Sequence, residues 1–567
     1  MSLRRIFRPR SEEPLPLWMA FSTIVAALCA THWALLRLPY YWDEAGYYIP
    51  AAWDFFRTGS LIPTSTLTNA HPPLPSLYLA LCWRASGFSP AVTRAAVLLV
   101  AALALLAVWR LALRLTGTAT VAFWTVLLTG LYPVWFAQST LAQADIFAAA
   151  GSLWGLTFAL GERDRKPWAA ALCFAAAALA KETSIAIPLT LAAVSFAEAR
   201  KRRGDERAQL LRESAWLASC VAPLAGWYAY HDTKTGFLFG NPEFLRYNAE
   251  ATLTPLRILA AFGHRIFHLT AHMNLFVPVL MALAALLLAP RVGADGRRRA
   301  GLARPVLLRI LLLLVANAAF FSVLGGALLT RYLLPMYPLV LLVAVSTLDR
   351  RAPYAQALLS IAAAAFVVGL FVNPPYGFAP EDNLAYARTL RMDQAGIAAL
   401  ARLAPDATVL TAWPLSDDLT KPELGYVKQP WKICAIDNFS AAQIARAAAE
   451  PEKYSAALVF STKYDPPPLL PKLFGTSLEE RYFGLHHDLA PEQIARELGG
   501  TLLWRRDSDG LWIALIRFNR PSSPPVEART GSRPQPKPLP ASRIASGPSW
   551  PAKSSPRTVG HTMALPS

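Results

Sequence analysis

The sequence predicts a polytopic α-helical membrane protein with a small α/β domain near its C-terminus. Of its 567 residues 54% are hydrophobic and only 16% are charged. Apolar runs of about 20 residues, the length that crosses a bilayer, recur as far as residue 372, after which the composition changes. The net charge of +18 comes from Lys and Arg clusters between apolar runs. That pattern sets membrane orientation and argues against a soluble nucleic-acid-binding protein.

About eleven membrane spans follow from the apolar runs. They are residues 17–37, 91–113, 118–136, 141–160, 167–180, 184–199, 214–230, 266–289, 305–326, 332–348 and 354–372. The first is interpreted as an uncleaved helix and not as a signal peptide, because it lacks a small-residue cleavage site and many spans follow. Residues 74–83 are too short to cross and are expected to lie along the outer surface.

Basic clusters assign the ends of these spans to the two sides of the membrane. Every loop assigned to the inside carries clustered Lys or Arg, whereas the long outward loops carry scattered ones. The assignment places five polar residues of interest on the outer side, namely Asp43, His71, Asp145, Lys181 and Arg331.

The first outward loop, residues 38–90, contains the adjacent acids Asp43 and Glu44 in an aromatic setting that includes Tyr47. Consecutive side chains point in different directions, so one acid is expected to act and the other to orient. A carboxylate in an apolar cleft can serve as a general base with a tuned pKa. The alternative is a solvated loop acid. The aromatic neighbours and a second acid on the same side, Asp145, favour the functional interpretation.

Asp145 lies at the outer end of an otherwise apolar span. An ionisable residue there is costly unless it faces the protein interior or water, which favours a functional role. A helix N-terminus also favours an acid through its dipole, and this is the structural alternative.

Three basic side chains of the outer face are candidates for binding a phosphate. Lys181 precedes Glu182, and Arg331 precedes Tyr332 at the start of a span. Cations are scarce on the outer side, so those placed there are candidate phosphate ligands, although interfacial cations also extend towards lipid headgroups. Arg246, in the polar stretch 240–248, is a further candidate.

The histidines and cysteines give no firm metal site. His71 precedes two prolines and is either a partner of an acid or phosphate or a turn residue. Three other histidines, His264, His268 and His272, share a helical face. An interfacial helix surface is favoured for them over a metal site. The five cysteines show no paired spacing, so no disulfide framework or zinc site is predicted.

The chain beyond the spans divides into two further parts. Residues 373–519 alternate helical patterns (383–403, 441–449, 491–498) with β-rich runs (407–412, 456–460, 501–506, 511–518), which predicts an α/β domain outside the membrane. Residues 520–567 are rich in Pro, Ser and Arg and are predicted to be disordered. Residues 1–372 form the membrane part.

The order of short motifs resembles a known family. WDEAGYY (42–48) and HPPL (71–74) are followed by an acid at Asp145, by ALAKETS (178–184) and by RYLLPMYPL (331–339). This succession resembles the GT-C type integral-membrane glycosyltransferases, and most resembles the protein O-mannosyltransferase-like and lipid A aminoarabinose transferase-like families. The likeness covers most of residues 17–350.

The resemblance implies an inverting transfer of a sugar from a polyprenyl-phosphate carrier to a lipid, glycan or protein acceptor at the periplasmic face of a bacterial inner membrane. It implies that Asp43 is the catalytic base, Glu44 its companion and Asp145 the second acid. Lys181 and Arg331 match contacts of the carrier phosphate, and the remaining candidates for substrate or carrier binding are His71, Arg246, Tyr332 and Tyr47. The chain departs from many relatives in having Glu182-Thr183 after the lysine and Ala144 before the second acid.

Other functions and several details stay open. A transporter or lipid flippase is the main alternative, but transporters place acids near the midplane and show related halves, which this sequence lacks. A receptor or assembly protein that binds through its C-terminal domain is a third possibility. Some GT-C branches use a divalent cation, and the sequence neither requires nor excludes one. Acceptor recognition is a hypothesis for the C-terminal domain.

Overall fold

The protein folds into a helical bundle followed by an α/β domain. A computed structural model describes residues 15–161, 165–249, 252–293, 296–299, 301–464 and 487–518. The basic N-terminal stretch before residue 15 and the tail predicted to be disordered lie outside the described residues.

The bundle contains helices α1 to α17. Their bounds are α1 (Leu17–His32), α2 (Ile49–Thr58), α3 (Leu74–Ser86), α4 (Pro90–Thr116), α5 (Ala119–Leu131), α6 (Pro133–Gln138), α7 (Ala144–Ala159), α8 (Pro167–Ala180), α9 (Ala186–Ala199), α10 (Gly204–Ser219), α11 (Val221–Thr235), α12 (Pro242–Asn248), α13 (Pro255–Thr270), α14 (Phe276–Ala285), α15 (Arg304–Val323), α16 (Tyr337–Arg351) and α17 (Ala355–Phe371).

The length and hydropathy of several helices confirm a membrane protein. Within the described ranges, four helical segments are long and apolar enough to cross a bilayer, and they are Leu17–Leu35, Pro90–Thr116, Arg304–Val323 and Thr330–Arg351. The bent pair α13 and α14 makes a fifth if it is one span. Helices α5, α7, α8 and α17 are apolar but shorter. The total of eleven spans therefore stays a prediction.

The predicted span 266–289 is divided in the structure, as are 118–136, between α5 and α6, and 214–230, between α10 and α11. In place of a continuous helix over 266–289, α13 ends at Thr270 and α14 begins at Phe276, with a bend of 98° between them. Met273 and Asn274 adopt left-handed conformations, with φ of 48° and 66°. The Asn274 amide donates a hydrogen bond to the Ala365 carbonyl at 2.7 Å and fixes the turn. The polar residues Thr270, His272 and Asn274 interrupt the apolar pattern at this point, and asparagine tolerates the left-handed conformation.

Helices α7 and α8 form a tight hairpin in the bundle. A Cβ atom at Gly151 would lie 2.9 Å from the Ala177 backbone nitrogen, so the two helices approach closely where glycine faces alanine. Small residues allow this close packing in membrane bundles. The hairpin places the start of α7 beside the end of α8, which brings Asp145 next to Lys181.

A five-stranded mixed sheet forms the centre of the C-terminal domain. The strands are β1 (Val409–Ala412), β2 (Ile433–Ile436), β3 (Ala456–Phe460), β4 (Thr501–Ser508) and β5 (Leu511–Arg517), in the order β2-β1-β3-β5-β4. Strand β1 pairs in parallel with β2 and β3, and β5 pairs antiparallel with β3 and β4. The helices are α18 (Ala385–Leu403), α19 (Leu415–Thr420), α20 (Ala441–Ala448) and α21 (Pro491–Glu497). The predicted helices and strands are confirmed, whereas β2 and α19 were not predicted.

The C-terminal domain packs directly on the first outward loop. A Cβ atom at Gly46 would lie 2.6 Å from the Trp413 ring. Trp42 meets the same ring edge to face, with centroids 5.0 Å apart, and the Tyr426 hydroxyl donates a hydrogen bond to the Tyr40 carbonyl at 2.7 Å. The domain and the loop therefore lie on the same side of the bundle.

This close approach makes Gly46 a sensitive position. We expect Gly46→Ala to lower the free energy of unfolding by about 1–3 kcal/mol, the usual cost of overpacking, because the new methyl group collides with Trp413. The thermal unfolding midpoint of the purified protein in detergent measures the change. Gly226→Ala is the matched control, since a Cβ atom there has no neighbour within 4 Å. Equal midpoints for the two variants would contradict the close packing.

Candidate active site

Asp43 begins the site at a sharp turn of the first outward loop. The residue before it, Trp42, has a φ of 45°, a conformation that bulky side chains rarely adopt. Residues Glu44–Tyr48 then form one π-helical turn. Such turns are rare and are found frequently at functional sites. The Asp43 carboxylate is partly exposed and accepts a hydrogen bond from Arg331 Nη2.

Asp145 and Lys181 form a buried ion pair at the mouth of the α7–α8 hairpin. Lys181 Nζ lies 2.6 Å from Asp145 Oδ1. The same ammonium sits 4.1 Å from the centre of the Tyr332 ring, a favourable cation–π distance. The structure therefore brings together the second acid and the predicted phosphate-binding lysine.

Arg331 connects this ion pair to Asp43. It lies on a 3-10 helix, Thr330–Met336, which leads into α16. Its Nη2 atom contacts Asp43, its Nε atom lies 3.5 Å from Asp145 Oδ2, and its Nη1 atom lies 3.0 Å from Glu381 Oε2. The side chain is only 3% exposed. One guanidinium thus joins three carboxylates in a single cluster, here called the Arg331 cluster, consisting of Asp43, Asp145, Lys181, Arg331 and Glu381.

Glu381 is the member of the cluster that the sequence did not reveal. It belongs to a short 3-10 helix, Pro380–Asp382, between the last bundle helix and the C-terminal domain. Gln143 Nε2 donates to its Oε2 atom at 2.8 Å. Burial raises the pKa of Glu381 to about 7; Arg331 opposes this rise and the Asp43 charge adds to it. The adjacent acids Glu381 and Asp382, a few residues beyond the final apolar run, were the available signal.

Asp382 fixes the position of this acidic segment. Its carboxylate lies 3.0 Å from His272 Nε2 and accepts a hydrogen bond from the Thr330 hydroxyl. His272 in turn lies at the break between α13 and α14. The broken helix pair thereby holds Glu381 in place beside Arg331.

Glu44 contacts a different set of residues from its neighbour Asp43. It is fully buried, its Oε2 atom lies 3.2 Å from Arg94 Nη2, and it accepts hydrogen bonds from the backbone of Tyr41 at 2.8 Å and Ala142 at 2.5 Å. Both carboxylate oxygens are therefore engaged in holding the loop against the bundle. These contacts suit an orienting role and leave proton transfer to Asp43.

His71 and Tyr47 form an aromatic wall on the same loop. The His71 ring stacks on Tyr48, with centroids 5.7 Å apart, and meets Tyr47 edge to face at 5.2 Å. His71 Nδ1 lies 3.1 Å from Glu182 Oε2, next to Lys181 in sequence. The structure thus gives His71 an acidic partner, one of the two roles that the sequence left open.

Two groups of predicted residues lie outside the cluster. Arg246 on α12 is exposed and forms no ion pair with any residue that the structure describes. The rings of His264, His268 and His272 are adjacent, but His268 and His272 are buried, so the predicted interfacial surface is wrong for those two. No group of three or more His, Cys, Asp or Glu side chains in the described ranges is arranged to hold a metal ion.

A narrow cavity leads from the cluster towards the apolar helices. It is lined by Asp145, Lys181, Arg331 and Tyr332 and also by Asn317 and Phe321 of α15, and the Phe321 ring stacks on Tyr332 with centroids 5.5 Å apart. Its volume of about 20 Å³ admits about one water molecule and no sugar. The side chains that line it must therefore move before a larger ligand enters.

The cluster combines the groups needed to bind an anion beside a base. Lys181 and Arg331 are the cations, and Asp43 is the partly exposed carboxylate next to them. Hydrogen-bonded cations in a buried site bind phosphate strongly. The arrangement suits a reaction in which a phosphate departs while a carboxylate accepts a proton.

Comparison with known proteins confirms the predicted resemblance. Residues 70–227 match the family model described as dolichyl-phosphate-mannose-protein mannosyltransferase. This segment contains His71, Asp145 and Lys181 but neither Asp43 nor Arg331. No curated protein sequence matches the chain at a significant level.

Similar solved structures extend over most of the chain. ArnT from Cupriavidus metallidurans bound to undecaprenyl phosphate is similar with a TM-score of 0.53 and 15% identity, covering 88% of this chain and 98% of that one. The apo state of the same protein is similar with a TM-score of 0.49 and 14% identity, over the same shares of the two chains. The apo form of the Archaeoglobus fulgidus oligosaccharyltransferase has a TM-score of 0.42 and 13% identity, covering 78% of this chain and 69% of that one. The similarity to the first structure shows that the GT-C fold predicted from the sequence is present.

Proposed function

We propose that this GT-C-fold protein, whose residues 70–227 match the mannosyltransferase family model, is an inverting glycosyltransferase. Its donor is a sugar linked to a polyprenyl phosphate, and its acceptor is a lipid, a glycan or a protein. The reaction takes place at the outer face of a bacterial inner membrane. The positive-inside assignment supports this orientation, because the first outward loop and the C-terminal domain lie together on the side poor in Lys and Arg clusters.

The observation that carries the proposal is the composition of the Arg331 cluster. Asp43 shares Arg331 with the Asp145–Lys181 pair, so a base and two cations lie within one network. The cavity beside Lys181 and Arg331 is also lined by Asn317 and Phe321 of α15, a helix long and apolar enough to cross a membrane. A phosphate at the cations therefore leaves its lipid tail between apolar helices. One similar protein, ArnT, has been solved with undecaprenyl phosphate bound, which supports the same class of carrier.

The chemistry follows from these positions. Asp43 accepts the proton of the acceptor hydroxyl or amine while that atom attacks the anomeric carbon of the sugar. The bond from the anomeric carbon to the phosphate oxygen breaks, and its electron pair stays on the phosphate. Lys181 and Arg331 stabilise the negative charge that develops there. Attack from the face opposite the phosphate inverts the anomeric carbon. One base suffices because phosphate leaves without protonation, unlike the leaving group of a glycosidase.

Mass spectrometry of membrane lipids and envelope glycans from a strain lacking the protein tests the function. We expect one sugar-modified species to disappear and its unmodified acceptor to accumulate. Expression of the wild-type protein should restore the species, and the Asp43→Asn protein should not. A flippase or a binding protein predicts that the Asn variant restores it as well as the wild type does.

Lys181 gives a separate prediction about the carrier phosphate. We expect Lys181→Met to raise the Kd for undecaprenyl phosphate by about 10- to 100-fold, because a charge-assisted hydrogen bond contributes roughly 1.5–3 kcal/mol. Binding to the purified protein in detergent measures the effect. Lys234→Met, which removes an exposed lysine of α11, is the control and should bind as the wild type does. An unchanged Kd in the Lys181 variant would exclude this lysine as a phosphate ligand.

A further inference from the structure

We propose that Glu381 occupies the place on Arg331 that the carrier phosphate takes, and that the phosphate binds when Glu381 is neutral. Glu381 is then a positioning residue that makes carrier binding depend on protons. The inference rests on the proposed function, because it concerns the same polyprenyl-phosphate donor. It assigns a role to the short Pro380–Asp382 segment, which the reaction described above does not use.

The contacts of Arg331 show why a bound phosphate conflicts with the acids of the cluster. Its Nη2 atom contacts Asp43, its Nη1 atom contacts Glu381 at 3.0 Å, and its Nε atom lies 3.5 Å from Asp145. Each nitrogen of the buried guanidinium therefore already faces a carboxylate. Nη1 and Nη2 each donate to one carboxylate, and Nε has no hydrogen-bond partner among the described residues, so N–H groups remain for a phosphate. A phosphate bound there lies directly beside the three carboxylates, and its binding is favoured when one of them is neutral or moves away.

The charges of the cluster lead to the same conclusion. Three carboxylates against the two cations Lys181 and Arg331 leave a net charge of −1 when every group is ionised. A phosphodiester adds a further −1 and brings the total to −2 in a buried site. With Glu381 neutral, the cluster starts at zero and accepts the phosphodiester at a total of −1. Like charges at such short separations repel strongly where water is excluded.

Glu381 is the acid best able to lose its charge. Asp145 is held by Lys181 at 2.6 Å, and Asp43 is needed in its ionised form as the base. Glu381 has Arg331 and the Gln143 amide as partners. Among the described residues, the Gln143 amide oxygen is buried without a hydrogen-bond partner. Rotation of this amide would let that oxygen accept the proton of a neutral Glu381, so the site can satisfy both forms.

The surroundings of Glu381 set the pH at which the change occurs. Asp43 and Tyr41 face it from the first loop, Arg331 from the 3-10 helix before α16, Gln143 from the start of α7, and Asp382, itself bound to His272, from its own segment. Burial first, and then the charge of Asp43, raise the pKa of Glu381 to about 7 against the effect of Arg331. Glu381 is therefore neutral below about pH 7 and ionised above it, so carrier affinity should fall as the pH rises through 7.

Binding of a phosphodiester at two pH values tests the proposal in the full-length protein. The probe is the methyl diester of undecaprenyl phosphate, whose single negative charge does not titrate near neutrality. For one blocking group with a pKa of about 7, we expect the wild-type Kd to rise about tenfold between pH 6 and pH 8. Glu381→Gln should bind equally at both values and about tenfold more tightly than the wild type at pH 8. Glu497→Gln, an exposed acid of α21, should behave as the wild type does.

Calorimetry on the wild-type protein provides a second test, which does not depend on whether a variant folds correctly. Titration of the diester at pH 8 in buffers of different ionisation enthalpy should reveal uptake of nearly one proton for each diester bound. A pH-independent wild-type Kd, or binding without proton uptake, would overturn the role of Glu381 even if sugar transfer is intact. If the diester does not bind the wild type at either pH and no sugar is transferred, the proposed function itself fails.

Discussion

Asp43→Asn is expected to lower kcat for sugar transfer by a factor of about 10² to 10⁴, the usual contribution of a positioned general base. The asparagine oxygen can still accept a hydrogen bond from Arg331, and Arg331 keeps its other two acidic partners. The fold should therefore be retained, and the affinity for undecaprenyl phosphate should not fall, because the variant removes one negative charge from the cluster. Turnover by the purified enzyme in detergent, measured together with the Kd for the carrier, separates the two effects.

An exposed acid supplies the control for this experiment. Asp406→Asn, in the loop after α18, should leave turnover unchanged. Turnover of Asp43→Asn within a few-fold of the wild type would remove Asp43 as the base. Loss of both turnover and carrier binding would instead show that Asp43 maintains the phosphate site through Arg331.

Arg94→Ala is expected to be strongly destabilising, by about 3–5 kcal/mol, as is typical when one partner of a buried ion pair is removed. Arg94 is fully buried and contacts Glu44 at 3.2 Å. It also donates hydrogen bonds to the carbonyls of Leu38 and Thr140, both at 2.8 Å, and to that of Pro39. Its removal leaves the Glu44 charge and several carbonyls unpaired beneath the loop that carries Asp43.

The thermal unfolding midpoint in detergent measures this loss, with Arg84→Ala as the matched control. Arg84 is an exposed arginine at the end of α3, and its removal should change the midpoint little. Similar midpoints for the two variants would show that the buried Arg94–Glu44 pair does not hold the first loop.

Much of the site could be predicted from the sequence because membrane topology places residues on one side. The positive-inside rule put Asp43, Asp145, Lys181 and Arg331 at the same end of the bundle. The small residues of α7 and α8 then bring two of them into contact. The expectation that neighbouring acids point in different directions is confirmed, since Asp43 contacts Arg331 and Glu44 contacts Arg94.

The rest of the site depends on tertiary contacts that local patterns do not encode. Glu381 follows the last bundle helix, about 50 residues after Arg331, and reaches it through the segment that Asp382 fixes. The break at Met273 and Asn274 lies among the polar residues Thr270, His272 and Asn274, but its turn is fixed by the hydrogen bond from Asn274 to the Ala365 carbonyl. Strand β2 is four residues long, lies at a sheet edge and is only partly buried, so its pattern is weak.

A structure of the protein with undecaprenyl phosphate bound would show whether Lys181 and Arg331 hold the carrier phosphate. We expect the phosphate to lie within hydrogen-bond distance of Lys181 Nζ and the Arg331 guanidinium, next to Asp43, with Glu381 displaced from Nη1 and the lipid tail along α15. A phosphate bound at the opposite end of the bundle, or at a site without Lys181 and Arg331, would contradict this expectation.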